Sequence, residues 1–136
     1  MRIAVGSDDR APLVDQLIAW LGEHGHEVVR EGDGALWPEV GRRVGEAVAH
    51  GRADRGVVLC WTGTGVAIAA NKVGDVRAAL CADAETARGA RRWNDANVLA
   101  LSLRLTSAAL GVEILEAFLD TAPDPGEEAT IAQVPR

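Results

Sequence analysis

Two spacings of hydrophobic residues alternate along the chain and divide it into predicted strands and helices. Short apolar runs with β-branched residues, such as the one from Ile3 to Val5, are typical of buried strands. Between these runs, apolar residues recur at every third or fourth position, as at Leu13, Leu17 and Leu21, and this spacing predicts amphipathic helices. The predicted strands are residues 2–7, 27–30, 56–60, 77–81 and 97–101, and the predicted helices are residues 11–24, 38–51, 66–72, 84–92 and 107–121.

The order of these elements predicts the fold class. Strands that alternate with helices of about 10–15 residues form βαβ units and a parallel sheet, and right-handed crossovers place helices on both of its faces. We therefore predict an α/β fold, a Rossmann-like three-layer α/β/α sandwich around a five-stranded parallel sheet. A single domain is expected over residues 1–136, in which Pro123 and Pro125 end the last helix and leave residues 122–136 as a C-terminal tail.

Composition narrows the class of protein further. Of the 136 residues, 48% are hydrophobic and 25% are charged, which is ordinary for one globular domain. No apolar run reaches the roughly 18 residues of a membrane span, and the first residues resemble a strand rather than a secretory signal, so we expect a cytoplasmic protein without a membrane partner. The two cysteines and three histidines lack zinc-type spacing, and without a basic stripe nucleic acid is not an expected partner.

The negative charge of the chain is concentrated near its C-terminus. The net charge is −6, and residues 113–136 contain six acidic residues and one basic residue. One interpretation is a solvated helix and tail whose charges serve solubility. The other is that the acidic tail faces a ligand, and the charge pattern alone leaves both open.

The segment from Cys60 to Gly65 is the strongest candidate for chemistry. Ligands of parallel α/β sheets bind at the carboxyl ends of the strands, and here a strand ends in a thiol, a glycine-containing turn follows and a helix begins. Amides at a helix start favour anions and can stabilise an oxyanion, and their field favours a thiolate at Cys60, as a base or nucleophile. Thr62 is placed to hydrogen-bond to the thiolate or to a substrate. Because a buried strand-end cysteine is also an ordinary packing residue, the loop by itself leaves catalysis and packing both open.

Several separate stretches of the chain, in the same order, resemble the type B ribose-5-phosphate isomerase family, which includes the subunits of galactose-6-phosphate isomerase. They cover residues 1–121 almost without gaps. Their sequences are Ile-Ala-Val-Gly-Ser-Asp at 3–8, Gly-His-Glu-Val-Val at 25–29, Ala-Asp-Arg-Gly at 53–56, Thr-Gly-Thr-Gly at 62–65, Ile-Ala-Ala-Asn-Lys at 68–72, Arg-Ala-Ala-Leu-Cys at 77–81 and Asn-Asp-Ala-Asn-Val-Leu-Ala at 94–100. On these motifs the chain is identified as a member of that family.

The resemblance implies an aldose–ketose isomerase. A base removes the proton from the carbon beside the carbonyl, the enediolate is reprotonated on the neighbouring carbon, and Cys60 matches the cysteine that acts as this base in many members. Asp8 matches a residue that contacts substrate hydroxyls, Asn94 one that contacts the sugar, and Arg104 one that helps to hold its phosphate. The substrate is thus expected to be a sugar or sugar phosphate.

The resemblance further implies that no metal or organic cofactor is needed. It also implies a homodimer whose active sites take residues from both subunits, with the tail reaching the partner. The residues assigned to catalysis are Cys60 and Thr62, and those assigned to substrate binding are Asp8, Asp9, Gly63, Thr64, Gly65, Val66, Ala67, Trp93, Asn94 and Arg104.

Four departures from the family pattern change the expected substrate. Asp9 stands where the family has a phosphate-facing histidine, Trp93 where it has the histidine expected to open the sugar ring, and Trp61 where it has a glycine. In the tail, Glu127 and the residues after it replace an Arg-His pair and further arginines that hold phosphate. Each carboxylate would repel a phosphate dianion at contact distance by roughly 1 kcal/mol or more, so we hypothesise a substrate that lacks this phosphate or carries a neutral or cationic group there. Trp93 and Trp61 offer flat faces for a sugar ring, and packing at a dimer interface would explain them equally well.

Three interpretations of the whole chain follow. The one we favour is an isomerase for an unusual or non-phosphorylated aldose, with Cys60 as the base. The second is an ordinary phosphopentose isomerase that has rebuilt its phosphate and ring-opening sites, and the third is a non-catalytic paralogue that binds a ligand or a partner subunit. The two missing histidines favour the third, whereas the retained Cys60, Thr62 and Asn94 favour the first two.

Overall fold

Strands and helices alternate along the chain in the computed structural model, which describes all residues from Met1 to Arg136. The elements are β1 (Arg2–Ser7), α1 (Pro12–Glu23), β2 (Glu27–Arg30), α2 (Trp37–Ala49), β3 (Arg55–Cys60), α3 (Thr64–Asn71), β4 (Ala78–Leu80), α4 (Ala84–Asn94), β5 (Val98–Ser102) and α5 (Ala108–Asp120), followed by a 3₁₀ turn (Pro125–Glu127) and α6 (Glu128–Ile131). No helix of the structure has both the length and the apolar character that crossing a membrane requires.

The five strands form one parallel sheet in the order β2-β1-β3-β5-β4. After β1 the chain first adds β2 on one side and then returns to add β3 on the other. The strand order therefore reverses between β1 and β3, and the crevice at the carboxyl ends of these two strands is the usual ligand position in such sheets. The register pairs Ser7 of β1 with Leu59 of β3, so that Asp8 and Cys60 come next on neighbouring strands.

Apolar side chains fill both faces of the sheet, which confirms the predicted three-layer α/β/α sandwich. On one face, a cluster of 18 buried residues, among them Leu17, Leu99 and Phe118, joins the strands to α1, α4 and α5. On the other face, a cluster of 12 buried residues lies under α2 and α3 and includes Val58 and Cys60. Because side chains alternate along a strand, β3 supplies both clusters.

The predicted elements are all present, and most of their ends differ from the prediction by one or two residues. Helix α3 begins at Thr64 rather than at residue 66, β4 has three residues rather than five, and α4 continues to Asn94. The tail after α5 is not featureless, because it forms the 3₁₀ turn and α6. Both ends of the tail contact the rest of the domain. The Asp124 N–H donates to the Arg92 carbonyl oxygen at 2.9 Å, and the Arg136 guanidinium pairs with the Asp75 carboxylate at 3.0 Å.

Candidate active site

Asp8 and Cys60 lie side by side where β1 and β3 end. The Asp8 N–H donates to the Leu59 carbonyl oxygen at 3.3 Å, which continues the ladder by one residue. Residue 8 follows the alternation of Ala4 and Gly6, and both of these face α2. Cys60 belongs to the same face, so the carboxyl and the thiol share the α2–α3 side of the sheet.

Cys60 is buried, with 5% of its surface exposed. Its carbonyl oxygen accepts a hydrogen bond from the Leu103 N–H at 2.9 Å, which fixes the end of β3 against the end of β5. A base in this place is sheltered from bulk water. A purely structural packing role would explain the same burial of Cys60. The substitution Cys60→Ala distinguishes a catalytic role from a packing role.

The turn after Cys60 depends on a glycine at position 63. Gly63 has φ of +75° and caps the start of α3. A Cβ there would lie 2.9 Å from the carbonyl carbon and oxygen of Leu101 and 2.6 Å from a methyl carbon of Leu80. Glycine is therefore required both by the left-handed backbone conformation and by the close approach to β5.

The first turn of α3 presents its amides without a side-chain cap. Gly63 has no side chain to accept from them, so the N–H groups of residues 64–66 are available to an anionic ligand. The hydroxyl oxygens of Thr62 and Thr64 lie 2.7 Å apart at the exposed rim of this turn. The arrangement joins a thiol, two hydroxyls and a helix start in one short segment.

Trp61 ties the same loop to the residues after β5. Its carbonyl oxygen accepts hydrogen bonds from the Ser102 hydroxyl at 2.9 Å and from the Arg104 N–H at 3.1 Å. Arg104 is thereby held next to the loop, with its side chain exposed. The Trp61 side chain is 65% exposed, so it offers a face to whatever occupies the crevice or covers it.

Trp37 packs on the candidate loop, although none of the sequence motifs includes it. A Cβ on Gly65 would lie 2.8 Å from the Trp37 indole, so the ring packs directly on the first turn of α3. The rule that ligands gather at the carboxyl ends of strands points to the segment from Gly32 to Trp37 after β2, but it assigns no role to the Trp37 ring. The ring is 43% exposed and walls one side of the loop.

Asp8 and Asp9 face different sides of β1. The pKa of Asp8 is raised, first by burial and then by the negative charge of Asp9. Asp9 lines a separate cavity of about 360 Å³ on the α1 side, together with Arg10 and Arg30. Of the two carboxylates, Asp8 is therefore the one that shares the face of Cys60.

Trp93 and Asn94 lie at the opposite end of the sheet from Cys60. Helix α4 runs back along the sheet, and the turn after it is bonded to Arg77, which immediately precedes β4: the Arg77 Nε donates to the Asp95 carbonyl at 2.9 Å. A strand of five or six residues spans about 16–20 Å. A single chain therefore groups Asp8, Cys60, Thr62, residues 63–67 and Arg104 at one end of the sheet, and it does not bring Trp93 and Asn94 to them.

Comparison with known proteins establishes the family. A family model described as Ribose/Galactose Isomerase matches residues 3–134. The galactose-6-phosphate isomerase subunit LacB of Clostridium acetobutylicum is 38% identical over 133 residues, which cover 94% of this chain and 77% of that protein. The chain belongs to the ribose/galactose isomerase family.

Two further members of the family are close in sequence or structure. A 4-deoxy-4-sulfo-D-erythrose isomerase from a Clostridium species is 34% identical, over 89% of this chain and 80% of that protein. The ribose-5-phosphate isomerase B of Clostridium thermocellum superposes with a TM-score of 0.93 at 37% identity, over 98% of this chain and 94% of that one. The fold and the family expected from the sequence motifs are thus confirmed.

Membership in the family places the chain among the aldose–ketose sugar isomerases. The chemistry expected of it is therefore the movement of a hydrogen between adjacent sugar carbons. The roles of the individual side chains, from Asp8 to Arg104, stay predictions.

Proposed function

We propose that this chain interconverts an aldose and a ketose through an enediolate, with Cys60 as the base that carries the proton. The observation that carries the proposal is the direct succession of a strand-end thiol, a glycine-held turn and an uncapped helix start. Both cysteines of the chain are free and buried, which fits a reducing compartment such as the cytoplasm.

The proposed reaction moves protons and needs no oxidant. The Cys60 thiolate removes the proton from the hydroxyl-bearing carbon, and the electron pair moves onto the carbonyl oxygen. Amides of α3 stabilise the resulting oxyanion, because the uncapped N–H groups at the helix start can donate to it as charge develops. The thiol then returns the proton to the former carbonyl carbon, while the hydroxyl proton passes to the former carbonyl oxygen. In this proposal Asp8 hydrogen-bonds to the substrate hydroxyls during these steps.

We further propose that two copies of the chain share each site. Trp93 and Asn94 can meet a Cys60 only if it belongs to another copy, because both residues lie at the far end of their own sheet. Exposed apolar side chains near the loop, Trp61 at 65%, Leu105 at 63% and Leu80 at 41%, would be covered in such a homodimer. The tail, which packs beside Trp93, would then reach the site of the partner.

The charges around these residues support a substrate without the usual terminal phosphate. Glu127 and Glu128 lie in the tail at the end of the molecule that carries Trp93. Among the relatives, the sulfo-erythrose isomerase is named for a substrate with a sulfo group, so phosphate is not universal in the family. The alternative is an ordinary ribose-5-phosphate isomerase that holds phosphate through Arg104.

The proposal is tested by exchange of solvent deuterium into a panel of aldoses with and without phosphate. Cys60→Ala should lower the rate of exchange by at least about 10²-fold, the lower end for loss of a positioned base. Cys81→Ala is the matched control, because burial raises the pKa of the Cys81 thiol to about 11 and keeps it protonated. Equal rates in the two variants would remove Cys60 from the mechanism, and absence of exchange from every sugar in the unmodified protein would favour a non-catalytic role. Efficient turnover of ribose 5-phosphate would favour the ordinary isomerase.

A further inference from the structure

A cavity of about 450 Å³ lies beside Trp93 and Asn94, at the end of the sheet away from the thiol of the same chain. Apolar groups make up most of its wall, and they come from three parts of the chain. They include Val76 and Ala78 around the start of β4, the Trp93 indole from α4, and Ile131 and Val134 from the tail.

The tail forms one side of this cavity, and it contacts the rest of the domain before and after the lining residues. The Asp124 N–H is bonded to the carbonyl of Arg92 at 2.9 Å, and the Arg136 guanidinium pairs with Asp75 at 3.0 Å. Ile131 and Val134 lie between these attachments and are thereby held over the edge of the sheet. This side of the wall therefore rests on one backbone hydrogen bond and one exposed ion pair.

The Trp93 ring is also held in place. A Cβ on Gly89 would lie 2.7 Å from a ring carbon of Trp93, so the indole lies along α4 in the space that the missing side chain leaves. Asn94 follows immediately and adds an amide to the same cavity. A mostly apolar pocket with a flat aromatic face and one or two hydrogen-bonding groups is typical of small-molecule sites.

The cavity offers no free positive charge. Arg77 is the one charged residue among its lining residues. Its guanidinium is occupied by Asp95, with an Nη2–Oδ2 distance of 3.3 Å and an Nε–carbonyl distance of 2.9 Å. A phosphate entering here would lose water and would meet neutral donors such as the Asn94 amide but no free cation, whereas an apolar group would gain free energy by leaving water.

We propose that this cavity receives the end of the substrate remote from the carbonyl and selects an uncharged, apolar end, so that the preferred substrate is a terminally deoxygenated sugar. The inference rests on the shared site proposed above, since the cavity must face the Cys60 of a second copy. Asn94 hydrogen-bonds the hydroxyl next to that end, and the Trp93 ring covers its carbon–hydrogen face.

The test compares aldopentoses that share a configuration and differ only in the group on the last carbon: hydrogen, hydroxyl or phosphate. Over the four aldopentose configurations, kcat/KM of the unmodified protein should be highest for a 5-deoxy sugar, by at least about tenfold over its hydroxyl and phosphate counterparts. A preference for the hydroxyl or phosphate end would overturn the inference and leave the isomerase proposal standing. Absence of deuterium exchange from all of these sugars would overturn both.

A pair of tail variants links the preference to this cavity. Ile131→Arg places a guanidinium in the wall and should shift the ratio of kcat/KM toward the phosphate-ended sugar by at least about tenfold, because charge-assisted bonds to phosphate are strong. Ala129→Arg adds the same charge at an exposed position of α6 outside the cavity lining and should leave the ratio unchanged. Equal shifts in both variants would mean that the cavity does not contact the end of the substrate. If Ile131→Arg fails to fold, the end-group ratio of the unmodified protein still decides the inference.

Discussion

Asp8 and Asp9 are neighbours in the sequence with different surroundings at the end of β1. Asp8 lies partly buried on the face of Cys60, and the pKa of its carboxyl is raised by burial and by the charge of Asp9. The Asp9 carboxylate accepts a hydrogen bond from the Arg10 N–H at 2.8 Å on the α1 side. A carboxyl whose pKa is raised on folding is more easily ionised in the unfolded chain, so its ionisation destabilises the folded state.

This difference predicts a pH-dependent effect of Asp8→Asn on stability. The variant should raise the Tm, and the gain should grow as the pH rises from about 3 to about 6, the range over which an aspartate ionises. Asp54→Asn should behave oppositely, because hydrogen bonds from the Arg2 N–H and guanidinium lower the pKa of Asp54, and its stabilisation is present at higher pH and lost as the pH falls. Calorimetry across this pH range measures both, and a gain for Asp8→Asn that shrinks with rising pH would contradict the burial of its carboxyl.

At the scale of the elements, Arg91 joins the ends of α4 and α5. It is 2% exposed, and its guanidinium donates to the Asp95 carboxylate at 2.7 Å and to the Ala96 and Thr121 carbonyl oxygens at 2.6 and 3.1 Å. The guanidinium also lies 5.7 Å from the centre of the Phe118 ring. Since Asp95 has φ of +44°, these bonds hold the strained turn that follows Asn94.

Loss of this arginine should destabilise the whole domain. We expect Arg91→Met to lower the free energy of unfolding by on the order of 3 kcal/mol, because two carbonyl oxygens and a carboxylate lose their donor. Arg92→Met, one position along the helix, removes an exposed ion pair with Glu85 at 3.9 Å and should change stability by less than about 1 kcal/mol. Urea unfolding of the two variants measures the difference, and similar losses in both would mean that the buried contacts of Arg91 are not decisive.

Hydrophobic spacing was sufficient to predict the strands and most helices, because each has one continuous buried face. It placed the start of α3 two residues late, since Gly63 and Gly65 resemble loop residues until their tertiary contacts are known. The left-handed Gly63 against Leu101 and the Trp37 ring on Gly65 allow the helix to begin at Thr64, and no local pattern encodes either contact. The same limit hid the attachments of the tail.

The division of the site between two ends of the sheet is a property of the whole molecule. Asp8, Cys60 and Arg104 lie at the carboxyl ends of the parallel strands. Each helix returns the chain to the amino ends of the strands, where α4 ends at Asn94. The order of elements therefore already separates Asn94 from Cys60 within one chain. A symmetric pair of chains can bring each Asn94 to the Cys60 of the other, which makes two equivalent sites.

This arrangement predicts that two inactive variants restore activity when they are combined. Cys60→Ala and Asn94→Ala should each lose most activity as homodimers, since every site then lacks one group. In a mixed dimer one site carries both substitutions and the other carries neither, so random reassembly of equal amounts should recover about a quarter of the unmodified activity. Unfolding and refolding the two variants together, with each refolded alone as the control, measures this recovery. If both residues acted within one chain, no mixed dimer would contain an intact site, and the mixture would be no more active than its components.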